Sequence, residues 1–253
     1  MFRSTYFLIS FIILLSMRSY ALTGDSTFFF KSALSVTNNG FSIIPAFTLG
    51  KPAAQFDMGI GNKRLSFEPQ FRYALEGRPW SFIFIYRYKA ITKDKFQLTF
   101  GGHLPGINFF NSAITTGGKT ETYSVSRRFM AAEILPTYII NKQVNVGLYF
   151  LRGHGFQSSG PRNSLYLALR STISKVKLGN AVWMDFSPQV FMLSLDNTYG
   201  FYANASVSLG IKKFPVSISS IVNKAIHSDI VAKDFDWNIS LVYSINKQYT
   251  LRR

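Results

Sequence analysis

The chain contains no cysteine and only 12 acidic residues, and beyond its first 21 residues it has no apolar run long enough to cross a membrane as a helix. Each absence removes a class of protein. Without cysteine there can be no disulfide framework, no thiolate metal site and no lipid-modified cysteine anchor. Set against 28 Lys and Arg residues, the few acids leave a formal charge of +16, which in a soluble protein would point to nucleic acid. The bases form no tract, however, and the N-terminus reads as an export signal. Arg3, the apolar stretch 6–17 and Ser19-Tyr20-Ala21 are the charged, apolar and small-residue parts of a signal peptide cut after Ala21. About 12 apolar residues are too few for a helical span of about 30 Å. Export separates the chain from nucleic acid, and because the leader holds Arg3 and Arg18 the mature charge is 16 − 2 = +14.

What the sequence does have is a period of two. In 64–75 every odd residue (Leu65, Phe67, Pro69, Phe71, Tyr73, Leu75) is apolar and the even ones are polar or small. That alternation is the signature of a strand with one face toward hydrocarbon and one toward water. It returns at 80–90 and 235–245, and the 25 Phe and 13 Tyr supply the aromatic load of a chain that meets a membrane interface. The reading is an all-β transmembrane antiparallel barrel.

Segments of this kind at 41–49, 53–60, 64–75, 80–90, 95–104, 120–140, 143–153, 163–173, 176–193, 198–210, 214–222 and 235–245 predict twelve strands. The stretch 28–36 alternates poorly because Phe29 breaks its face, so 22–40 is expected to be a periplasmic or lumenal segment and 41–253 the barrel. With both termini periplasmic, the short links 61–63, 91–94, 141–142, 174–175 and 211–213 are periplasmic turns, and 105–119, 154–162 and 223–234 are external loops. Prolines 45, 69, 136, 188 and 215 fall inside these strands and should sit at bulges or strand ends. The similar runs Phe67-Glu68-Pro69-Gln70 and Phe186-Ser187-Pro188-Gln189 suggest two related bends. A soluble sandwich also alternates, but its strands average about five or six residues, and many here run to ten or more.

The run Leu65-Ser66-Phe67-Glu68-Pro69-Gln70-Phe71-Arg72-Tyr73, continued by Pro79-Trp80-Ser81-Phe82, resembles small, functionally uncharacterised outer-membrane barrels of Bacteroidota. The resemblance covers the first half of the chain. It implies an outer-membrane barrel and carries over no catalytic residue.

On the inferred lumen face lie Asp57, Glu68, Glu121, Glu133, Asp185 and Asp236 with Arg64, Arg72, Arg87, Lys89, Lys95, Arg127, Arg170 and Lys177. Of these, Glu68, Arg72, Arg87, Glu133, Arg170 and Asp185 are the chosen lumen-lining residues. They can interlock as ion pairs that plug the barrel or line a narrow aqueous path. Three histidines, His103, His154 and His227, are weak candidates for a metal and no cofactor is expected. His227-Ser228-Asp229 has the residue types of a hydrolase, but neighbours on an extended chain point apart, so an enzyme is not the expectation. The leading function is a narrow channel or binding protein for small solutes, with a bias toward anions, in a bacterial outer membrane. A closed structural or partner-binding barrel and a lipid-modifying enzyme are the alternatives. Expected partners are outer-membrane lipids, lipopolysaccharide, a small anionic solute and the outer-membrane insertion machinery.

Overall fold

The computed structural model describes residues 26–251 apart from 43, 45, 46, 117, 118 and 159, so the leader lies outside the described residues. Twelve antiparallel strands close into one barrel. The first six are β1 (Ser26–Thr37), β2 (Ala53–Gly61), β3 (Leu65–Ala74), β4 (Pro79–Thr92), β5 (Phe96–Thr116) and β6 (Lys119–Ile139). The last six are β7 (Val144–Gly155), β8 (Asn163–Leu178), β9 (Val182–Leu195), β10 (Thr198–Ile211), β11 (Val216–Ser228) and β12 (Phe235–Leu251). Each strand pairs with its sequence neighbours, and β1 pairs with β12 along its whole length, so no sheet edge is left open.

The expected alternation sets the two faces. Leu34, Phe56, Leu65, Tyr86, Leu148, Leu169, Ile218 and Leu241 are exposed on the outer wall, whereas Ala53, Ser81, Glu133, Leu193 and Tyr202 are buried in the lumen. An apolar exterior around a largely polar interior is the arrangement that hydrocarbon selects. Both termini lie at one end together with the links 62–64, 93–95, 140–143, 179–181 and 212–215, each of three or four residues. At the other end the long β5–β6 hairpin projects, beside the 38–52 connection.

The number of strands is as predicted, but their identity is not. The 28–36 stretch is part of β1, which closes the wall, and the described residues of 41–49 form no strand. Phe29 does face inward, and the lumen accommodates it because the Lys31 ammonium lies 5.2 Å from its ring centroid. In the 38–52 connection, by contrast, Phe41 is buried, Ile44 packs against the lumen cluster and Phe47 stacks on Phe129 at 5.9 Å. These side chains recur every three residues, a spacing that a strand cannot turn to one face. The connection bonds to itself, Gly40 N–H donating to Lys51 O at 2.7 Å and Leu49 N–H to Gly40 O at 2.8 Å.

Two predicted reversals are bulges. The ladder of β5 slips between His103 and Gly106, so odd residues face inward before the slip and Asn108 and Phe110 face inward after it. Residues 105–116 therefore belong to β5 and are not an external loop. Likewise β8 slips between Ile173 and Val176, with Lys175 at φ 53°, and runs on to Leu178, so the turn is 179–181 and not 174–175. Residues 223–228 extend β11, which shortens the last connection to 229–234.

The mid-strand prolines sit where pairing lapses. Pro69, Pro136 and Pro188 each pair on one side (with Phe84, Leu98 and Ala205), while the other ladder skips them. The missing N–H thus falls on the unpaired side. Pro69 and Pro188 share more than a motif: each interrupts the ladder to the preceding strand. Pro215 lies in a turn, and Pro45 lies outside the described residues.

Candidate functional site: an ionic cluster beneath a basic vestibule

Period two places Glu68 on β3, Arg87 on β4, Glu133 on β6, Tyr149 on β7 and Arg170 on β8 all pointing inward. Arg87 and Glu133 stand on strands that are not neighbours, in one row with Gly101 of β5 between them. A Cβ at Gly101 would lie 2.5 Å from Glu133 Oε1 and 2.6 Å from Tyr86 O, so only glycine leaves room for the carboxylate to cross β5. It reaches Arg87, whose Nε donates to Glu133 Oε1 at 2.5 Å and whose Nη2 donates to Oε2 at 3.3 Å. Tyr149 Oη donates to Oε2 at 2.6 Å, and His103 Nε2 stands 3.6 Å from the same oxygen. Arg87 Nη1 also donates to Glu68 Oε2, and Ser66 Oγ donates to Glu68 Oε1 at 2.7 Å. Arg170 completes the cluster, its guanidinium 5.0 Å from the Tyr149 ring centroid.

Glu133 is 1% exposed, so three hydrogen bonds, two from Arg87 and one from Tyr149, share a charge that would otherwise be buried alone. Of the six chosen residues, the structure thus brings together Glu68, Arg87, Glu133 and Arg170. Arg72 lies apart, donating to Gln70 Oε1 at 2.8 Å with its guanidinium 5.4 Å from the Trp80 ring centroid. Asp185 sits toward the terminal end of β9, accepting from the Lys175 backbone N–H at 2.6 Å. The side chain of Glu121 lies outside the described residues. Sequence reading missed Tyr149 and His103 as members of the cluster. Tyr149 counts as apolar in a two-letter pattern, and only its parity with Asn145 and Leu151 marks it as inward.

Toward the termini the cluster opens into a vestibule of about 920 Å³. Its bases are Lys31, Lys63, Arg64, Arg87, Lys89 and Arg170, and its acids are Asp57 and Glu68. Toward the opposite end the lumen is filled. Leu151, Tyr166, Phe191, Leu193 and Tyr202 form a buried cluster, and beside it Phe47 stacks on Phe129 while its carbonyl accepts from Trp80 Nε1 at 2.8 Å.

The histidines are dispersed. His103 faces the lumen, whereas His154 and His227 are exposed on the outer wall, and no group of three His, Asp or Glu residues among the described residues could share a metal. His227 Nε2 is 3.8 Å from Asp229 Oδ1, but Ser228 turns the other way, its Oγ 2.7 Å from Tyr202 Oη.

Neither a family model nor a curated protein matches the chain. Among solved structures it is similar to the KdgM porin in complex with disordered oligogalacturonate, at 8% identity over 86% of this chain and 99% of that one, with a TM-score of 0.55. An outer membrane channel from Pseudomonas putida F1 matches at 9% identity over 88% and 96% of the two chains, with a TM-score of 0.46. The CymD monoaromatic hydrocarbon channel matches at 7% identity over 91% and 90%, with a TM-score of 0.44. At such identities the first likeness speaks of fold, and it agrees with the closed ladder and the apolar wall: this chain is a twelve-stranded β-barrel of the outer-membrane type.

Proposed function

We propose that the protein is a narrow channel or binding protein for small anionic solutes, entered from the end that carries the termini. The observation that carries this is the vestibule, where six bases face two acids. Fixed positive charge between low-dielectric walls raises the local concentration of anions and lowers that of cations. The ionic cluster then forms the floor at which a solute must exchange partners with Arg87 or Arg170. Beyond it, Phe47 stacks on Phe129 across the path, so conduction requires these two rings to part.

Planar-bilayer conductance tests this reading. The expected result is a small conductance with anion preference, raised by the double variant Phe47→Ala, Phe129→Ala and made less anion-selective by Arg87→Gln. A reversal potential showing cation preference overturns the charge argument. A silent double variant instead favours the closed structural barrel, the reading supported by the filled outer half of the lumen.

A further inference from the structure

On the outside of the wall, strands β4 to β7 leave an apolar groove of about 690 Å³ between Tyr86, Phe100, Leu104 and Met130. Its floor is Gly102 and Ala132, which face each other across the β5–β6 ladder. Two small residues side by side make a depression between the large exposed side chains of Tyr86, Phe100, Leu104 and Met130. From Phe100 to Leu104 the groove covers four residue steps, about 13 Å of strand, which is room for the extended part of one acyl chain.

The β7 side of the groove is basic from its middle to the end away from the termini. Arg152 pairs with Ala132 and His154 with Met130 across the β6–β7 ladder, and Arg128 is the next outward residue along β6. All three are exposed, and among the described residues none takes part in an ion pair. A cation facing lipid is expensive at the midplane and nearly free at the interface, so this cluster belongs at headgroup depth. Because it lies opposite the short turns and termini, that headgroup is in the outer leaflet.

We propose that this surface is a lipopolysaccharide site in which the groove takes one acyl chain while Arg128, Arg152 and His154 hold phosphate groups of the saccharide head. Arginine forks suit phosphate oxygens, and three donors spread over four residue steps match a head with more than one phosphate better than a single phosphodiester. The inference rests on the outer-membrane placement and is independent of whether the lumen conducts.

Native mass spectrometry of the detergent-purified barrel, titrated with diphosphorylated lipid A or with phosphatidylglycerol, tests it. One lipid A per barrel is expected, bound in preference to phosphatidylglycerol. Binding should weaken about tenfold in the double variant Arg128→Gln, Arg152→Gln and in Ala132→Trp, which fills the groove. Lys224→Gln, an exposed base on β11 across the barrel, should leave binding unchanged. Wild-type affinity in the arginine variant, equal binding of phosphatidylglycerol, or an equal loss in Lys224→Gln would overturn the site. Should Ala132→Trp lose the heat-modifiable gel migration of a folded barrel, the arginine variant decides alone.

Discussion

The two sides of the lumen wall solve the same problem differently. From β2 to β8 the inward face carries Asp57, Glu68, Arg72, Arg87, Lys89, Glu133 and Arg170, and its central members neutralise one another through Arg87 and Glu133. From β9 to β12 it carries Gln189, Asn204, Asn223, Asn238, Ser219 and Ser240, with acids only near the two ends, at Asp185 and Asp236. There, Gln189 Nε2 donates to Asn204 Oδ1 at 3.2 Å and Asn238 Oδ1 accepts from the Ile221 backbone N–H at 3.0 Å. Amides and hydroxyls satisfy neighbours with neutral bonds, which are individually weak and replaceable. Charges concentrate stability in a few contacts and leave behind an uncompensated ion when one is removed. A lumen can therefore be polar throughout and still have a fragile side and a tolerant one.

The sharpest way to break this contrast is Glu133→Leu. Arg87 and Tyr149 lose their shared acceptor, and the expected cost is about 3 to 5 kcal/mol, held below the upper limit because Arg87 keeps Glu68. Guanidinium unfolding from phospholipid vesicles measures it, and a cost below that of a neutral-side variant would reverse the assignment of the two sides. Next in size is the inside–outside difference on one strand. Phe71→Arg, which turns a charge to lipid near mid-strand, should cost about 2 to 4 kcal/mol by the same measurement, and Gln70→Arg far less; equal costs would mean that the faces of β3 are misassigned. On the neutral side, Asn223→Ala removes a bond to Asn204 and should cost about 1 kcal/mol.

The smallest effect lies outside the membrane. Asp196, in the β9–β10 turn, accepts from the backbone N–H groups of Asn163 at 2.8 Å and Arg162 at 3.0 Å, and those bonds hold its carboxyl below the usual range. A lowered folded value means that the contribution is complete above the ordinary carboxylate range and is lost as pH falls through the folded value. Hydrogen exchange at Arg162 and Asn163 should accelerate on acidification relative to the β8 core, and acid-independent exchange would rule the cap out.

Much of this was legible because membrane strands are held to one parity. β3, β4 and β12 read cleanly, and so did the lumen positions of Arg87 and Glu133. The reading failed where parity changes inside a strand. At His103–Gly106 and Ile173–Val176 an extra residue flips the faces, and a flipped face looks like a chain reversal to any rule based on alternation. β1 was missed for a different reason. The lumen accepts an aromatic such as Phe29 when a cation covers it, whereas the two-letter pattern assigns every aromatic to lipid. The 41–49 stretch reads as wall because its composition is that of a strand and only the three-residue spacing of Phe41, Ile44 and Phe47 is not.

Gly101 has a consequence that reaches beyond this one molecule. Because the Glu133 carboxylate passes directly over it, any side chain at 101 displaces the acid, besides meeting the Tyr86 carbonyl oxygen. Arg87, Gly101 and Glu133 are three positions on three strands but one heritable character. A barrel that keeps the pair must keep the glycine, so that the vacancy at 101 is as much a part of the ion pair as the two charges it separates.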